Sequence, residues 1–212
     1  ARPLIMFDAG PWELATLLSK LVAYAGFVSF SGGLFVFWLG TRPEQSSAVS
    51  AAARWSPAAR AHLVSRTIIK AAAALAALVL YFLLQIGLIN QNGLRGMFDS
   101  FMAGIVLQST VGYGVIMRTV GILLPLTGLL MARRALLASG SARIAPRLLV
   151  SWLVGALLFS SSFAVLGHVV NLSVLAQLAI VLHTFAISLW VGALYPLYVL
   201  SAVNFGFKAK WT

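Results

Sequence analysis

The chain contains no cysteine. That excludes disulfides, thiolate metal sites and CxxC redox chemistry. It is nearly as poor in acid: 4 Asp and Glu stand against 15 Lys and Arg, a net charge of +11. No carboxylate falls deep inside an apolar run, so a carboxylate proton relay has no residues to run on. Charge of either sign is scarce, at 9% of the residues, while 61% are hydrophobic and the mean hydropathy is +0.97. A soluble domain of 212 residues cannot bury that much apolar surface. The solvent that suits this composition is lipid. No Ser-His-Asp or Cys-His constellation is present, and no enzyme activity is expected.

What is present is a series of long uncharged runs. A bilayer crossing takes about 20 apolar residues. By that measure the spans fall at about 21–41, 70–92, 113–132, 148–170 and 177–201. Residues 148–207 hold no Lys, Arg, Asp or Glu, and Asn171, Ser173 and Gln177 divide them into two spans. Residues 99–110 read as a short re-entrant or interfacial helix, and Pro125 as a kink in the span that follows. The expected fold is therefore all-α, a polytopic transmembrane helix bundle of five spans and one short helix in a single domain, 1–212.

Basic residues alternate along this map. Arg42, Arg54, Arg60 and Arg66 occupy one connection with Glu44, and Arg133, Arg134, Arg143 and Arg147 another. Lys208 and Lys210 lie in the tail, whereas 171–177 carries no charge. Basic connections stay on the cytoplasmic side. The N-terminus is thus expected outside, the C-terminus inside, and the charge excess needs no nucleic acid. Lipid is the expected partner.

One stretch resembles an ion-channel motif. Ser109 is followed by Thr110-Val111-Gly112-Tyr113-Gly114, the letters of a potassium selectivity filter. Val115-Ile116-Met117 then runs directly into the span, and Arg118 would place a cation near the mouth. Small residues easing close helix contact are the plainer reading. Arg118 itself is free to snorkel outward, or to hold a helix carbonyl or a lipid phosphate.

The histidines point elsewhere. His168 and His183 flank the uncharged connection at equal distance from its midpoint between Leu175 and Ala176. In an antiparallel hairpin they would share a depth near the outer face and face one another or a common cavity. Trp190, seven residues after His183, would lie below it and wall the site from lipid. Imidazole within a span is a functional candidate, suited to copper or haem iron. Met102 and Met117 are accessory thioether candidates, with Met6 and Met97 also on the outer side, although methionine is as often plain packing. Asp8, Glu13 and Asp99 are outer-side acids that could draw cations.

Gly167-His168, His183, Trp190-Val191-Gly192 and Pro196-Leu197 together resemble the copper resistance protein D (CopD/PcoD) family. Ala193 stands where that family's Trp-x-Gly-Gly has its last glycine, and Ser109, Gly112 and Arg118 resemble its middle-helix pattern loosely. Members commonly carry more spans than the five read here. The resemblance implies a bacterial inner-membrane protein that binds copper near the periplasmic face and passes it across. A periplasmic copper-binding protein or other membrane subunits would be its partners, and His168 and His183 its metal ligands, with Met117, Met102, Trp190 and Arg118 accessory. The residues leave three other readings open: a b-type haem electron carrier, a structural subunit of a larger membrane complex, and a potassium-channel-like pore.

Overall fold

The structure, a computed structural model, describes residues 10–39, 57–139 and 146–204, without the side chains of 57–59, 136, 138–139, 167–168 and 200–204. Arg2, Met6, Asp8, Arg42, Glu44, Arg54, Arg143, Lys208 and Lys210 lie outside the described residues. Among the described residues all regular structure is helical. The α-helices are α1 (Pro11–Leu39), α2 (Pro57–Asn90), α3 (Gly93–Gly96), α4 (Ser100–Leu107), α5 (Thr110–Ser139), α6 (Pro146–Ser161) and α7 (Val174–Asn204), with a 3₁₀ turn at Gly167–Asn171. Four of them, α1, α2, α5 and α7, are long and apolar enough to cross a membrane.

Helix starts follow local chemistry. Pro11 and Pro57 occupy first helical positions, where a missing N–H costs nothing. The Glu13 carboxylate accepts from the Gly10 amide at 2.8 Å. Asp99 caps α4, accepting from the Phe101 and Met102 amides at 3.0 and 3.1 Å. It also accepts from Asn90 Nδ2 at 3.1 Å, which ties the end of α2 to the start of α4. Asp99 is therefore spent on structure. The expected short helix at 99–110 is α4, a separate element that stops at Leu107 before α5 begins.

α1 lies at the centre, with α2 and α7 on its flanks, α5 against α2 and α6, and α6 against α7. Small residues set the crossings. A Cβ at Gly26 would meet Ala74 at 2.9 Å and one at Gly33 would meet Thr67 Oγ1 at 2.5 Å, so α2 runs antiparallel along one face of α1. On another face, Gly32 lies against the backbone of Gly192 and Ala193. Because residue 125 is proline, the Gly121 carbonyl has no helical donor, and Gly155 of α6 packs directly on it. Lipid provides no hydrophobic drive between helices, so such close approaches carry the packing. Phe27 stacks on Phe159 with centroids 3.5 Å apart, filling the space between α1 and α6.

The expected span at 148–170 is corrected. α6 has 16 residues and ends at Ser161, about 24 Å long against a hydrocarbon core of about 30 Å. Ser160-Ser161-Ser162 ends it. The Ser162 amide is shared between the Leu158 and Phe159 carbonyls at 3.3 and 3.1 Å, and the next two amides make i−3 bonds, to Ser160 and Ser161. The chain tightens into a turn instead of continuing as α-helix. Residues 162–166 nevertheless keep climbing along α5, where Gly114 lies against Leu166.

Candidate functional site

The turn after α6 is built from α7. Ser173 Oγ accepts from the Ala176 amide at 3.4 Å. Gln177 Nε2 donates to the carbonyls of Val169, Val170 and Leu172 at 3.3, 3.1 and 3.2 Å. One amide thus gathers three carbonyls of the 3₁₀ turn and fixes the segment bearing His168. Gln177 read in the sequence only as a break in an apolar run.

The histidines do not share a depth. α6 ends at Ser161 and α7 begins at Val174, so His168 lies in the connection itself while His183 lies nine residues into α7, about 14 Å along its axis. The equal count to Leu175–Ala176 assumed a hairpin turn where α7 has already begun. His183 also follows Gln177 by six residues, a rotation of about 240°, so it does not share the face that holds the turn. Its side chain is exposed and makes no hydrogen bond among the described residues. The side chain of His168 lies outside the described residues. Trp190 is 75% exposed and shares the outward face of α7 with His183. Among the described residues no group of three or more His, Cys, Asp or Glu is arranged to hold a metal ion.

The accessory candidates separate from this face. Met102 on α4 and Met117 on α5 are half-buried, on helices that pack with α2, α6 and each other, whereas α7 packs on α1 and α6. Met97 is buried under α2, near Gly87. The remaining histidine, His62, is exposed on the first turns of α2.

The channel-like stretch is helical. Ser109 precedes α5, its carbonyl accepting from the Tyr113 amide at 3.0 Å, and Thr110–Gly114 form the first turn. A filter needs extended backbone with carbonyls turned to the ion; these carbonyls point along a helix axis. The glycines serve packing. Gly112 lies against the Leu107 backbone, where α4 meets α5, and Gly114 takes the Leu166 side chain.

Comparison of the chain with protein-family models, with curated proteins and with solved structures gave no match. Its chemistry is read from its own residues.

Two polar groupings lie inside the bundle. The first is a string across three helices. Trp152 Nε1 of α6 donates to Ser31 Oγ of α1 at 3.1 Å, and Ser31 lies 3.3 Å from Ser188 Oγ of α7. Ser188 spends its proton on the Phe185 carbonyl at 2.7 Å, so Ser31 donates to Ser188 and each proton is used once.

The second centres on Arg118, which is 1% exposed and does not snorkel. Its Nε donates to Ser162 Oγ at 2.8 Å. Its guanidinium carbon lies 4.9 Å from the Tyr24 ring centroid and 5.0 Å from that of Phe163, in the notch between two rings whose centroids are 5.0 Å apart. The arginine thereby joins α5 to α1 and to the turn that follows α6. Arg118 Nη1, Tyr24 Oη and Ser160 Oγ are buried without hydrogen-bond partners. The sequence placed Arg118 within a span, but only its packing shows that nothing leads it back to water.

Proposed function

We propose that this chain is a multi-pass protein of a bacterial inner membrane that handles copper, with His183 and His168 as its imidazole donors, binding near the outer face and passing copper inward. The observation that carries the reading is His183. It is an imidazole on a membrane-crossing helix, exposed and unengaged, within the Gly-His, His, Trp-x-Gly pattern that resembles the copper resistance protein D family. An ionisable side chain at such a position has a function by default, and neutral imidazole is a good copper ligand. Because His168 lies in the connection before α7 and His183 nine residues into it, they act as successive donors and not as one chelate. Gly192 of the same pattern has a packing role, since α1 crosses there. The orientation follows the basic residues: Arg60, Arg66, Arg133, Arg134 and Arg147 all lie toward one end of the bundle.

Copper(I) binding to the purified protein in nanodiscs, measured by competition with a chromophoric chelator, tests this. His183→Ala should lower the bound copper, and His168→Ala with His183→Ala should abolish it. Unchanged stoichiometry in the double variant removes the copper reading. A Soret band in the purified protein would replace it with haem.

A further inference from the structure

α5 and α6 touch where Gly121 lies against Gly155 and again where Gly128 takes the Leu148 side chain. Beside that seam the surface is hollow. One lobe, of about 460 Å³, is lined by Thr127 and Gly128 of α5 and Leu148 of α6. A second, also of about 460 Å³, is lined by Val150 and Val154 of α6. Leu124, Arg147 and Ser151 line both. Each lobe has the volume of an ordinary ligand pocket, about 300–1,000 Å³.

The lining carries one charge. Arg147 is exposed, and its side chain makes no ion pair or hydrogen bond among the described residues. Thr127 and Ser151 donate their hydroxyl protons to the Leu124 and Leu148 carbonyls at 2.8 and 2.9 Å, so no other side-chain donor is left in the groove. Depth follows from the helix contacts. Arg147 lies beside the level of Gly128, about 27 Å along α5 from Thr110. A hydrocarbon core is about 30 Å thick. The guanidinium therefore stands at the boundary of the apolar layer, while Val154, next to the Gly121 crossing, lies near its middle. Arg133 and Arg134 follow on α5 beyond that boundary. The described carboxylates, Glu13 and Asp99, lie at the opposite end, at the starts of α1 and α4.

We propose that the groove between α5 and α6 binds one anionic diacyl phospholipid from the leaflet at the basic end of the bundle, its phosphate on Arg147 and one acyl chain in each lobe. Basic pockets between membrane helices hold anionic headgroups in this way. Two lobes that share a single cation match a lipid with two chains and one headgroup; a single-chain amphiphile would leave a lobe empty. A soluble phosphate ester would meet one exposed cation and no further donor. The site is independent of the copper reading, because none of its residues belongs to α7 or to the histidine pattern.

The test uses the full chain, delipidated in mild detergent and titrated with dioleoyl phosphatidylglycerol or dioleoyl phosphatidylcholine, with bound lipid counted by native mass spectrometry. One phosphatidylglycerol should bind in preference to phosphatidylcholine. Arg147→Gln, at an exposed position where folding is not at stake, should weaken that binding about tenfold, the worth of one hydrogen bond to a charged group. Arg133→Gln removes the same charge from the same end of the bundle but lines neither lobe, and should leave the binding unchanged. Thr127→Trp and Val150→Trp each fill one lobe from the lipid-facing side; each should displace the diacyl lipid and still admit the single-chain lysophosphatidylglycerol. Glycerol 1-phosphate in excess should not compete. Equal binding of the two diacyl lipids overturns the proposal. So does an equal loss in Arg147→Gln and Arg133→Gln, which would make the attraction the diffuse charge of that end. Binding unchanged in both tryptophan variants places the lipid elsewhere, and displacement by glycerol 1-phosphate removes the acyl groove; either result also overturns it.

Discussion

Replacing Gly32 by alanine should separate α1 from α7. The added methyl would fall on the Gly192 carbonyl carbon and the Ala193 nitrogen, which are backbone atoms with no side chain to swing aside. Carbon atoms settle about 3.5–4.0 Å apart, so α7 must retreat by more than an ångström. The Ser31···Ser188 hydrogen bond, 3.3 Å at rest, does not survive that retreat. Overpacking typically costs about 1–3 kcal/mol, and an interhelical hydrogen bond in a bilayer averages about 0.6 kcal/mol. The expected loss is therefore about 2–3 kcal/mol, read as a lowered midpoint when the protein in mild-detergent micelles is titrated with dodecyl sulfate. Gly104→Ala is the control: a methyl there meets nothing within 4 Å, and the change should be neutral or stabilise by up to about 1 kcal/mol. The absence of cysteine supplies a second readout. Ser31→Cys with Ser188→Cys should oxidise to a disulfide in the native background, and adding Gly32→Ala should suppress it. Equal stability of Gly32→Ala and the parent, together with undiminished cross-linking, would refute the close crossing.

Further outcomes follow from other contacts. Trp152→Phe keeps a ring in the core but removes the donor to Ser31; it should cost about 0.6 kcal/mol or somewhat more in the same titration, with no effect on copper binding. Asp99→Ala removes the cap of α4 and should cost about 1 kcal/mol, with faster amide exchange at Phe101 and Met102. Gln177→Leu removes the side-chain donor shared by the Val169, Val170 and Leu172 carbonyls and should raise amide exchange and protease sensitivity across 167–172 while α1 and α2 remain protected. Fusion of a compartment reporter after Lys210 should report the cytoplasm; a periplasmic signal would invert the orientation.

Much of this protein was legible without coordinates, because a bilayer reads composition directly. Uncharged runs longer than a bilayer is thick must be helical, since no other open structure satisfies its own hydrogen bonds in lipid. The helical class and the four helices long and apolar enough to cross a membrane therefore follow from hydropathy. The helix ends were less legible: α1 begins ten residues before its uncharged core and α2 before its basic residues, because Lys20, Arg66 and Lys70 are carried on helical backbone. Hydropathy counts residues and does not see where hydrogen bonds stop. It thus extended α6 through Ser162, where the amides had already turned to i−3 partners, and set the two histidines at one depth. The pentapeptide at Thr110 was ambiguous for the same reason, since the same letters serve an extended filter or a helical turn, and only the neighbours at Leu107 and Leu166 decide. Arg118 shows the limit most clearly. Its position in a span is one-dimensional information, but whether the side chain reaches water depends on Tyr24, Ser162 and Phe163, which lie far from it in the chain and adjacent to it in the fold. Sequence determined the solvent and the class of structure; tertiary packing decided which polar groups were left inside it without partners.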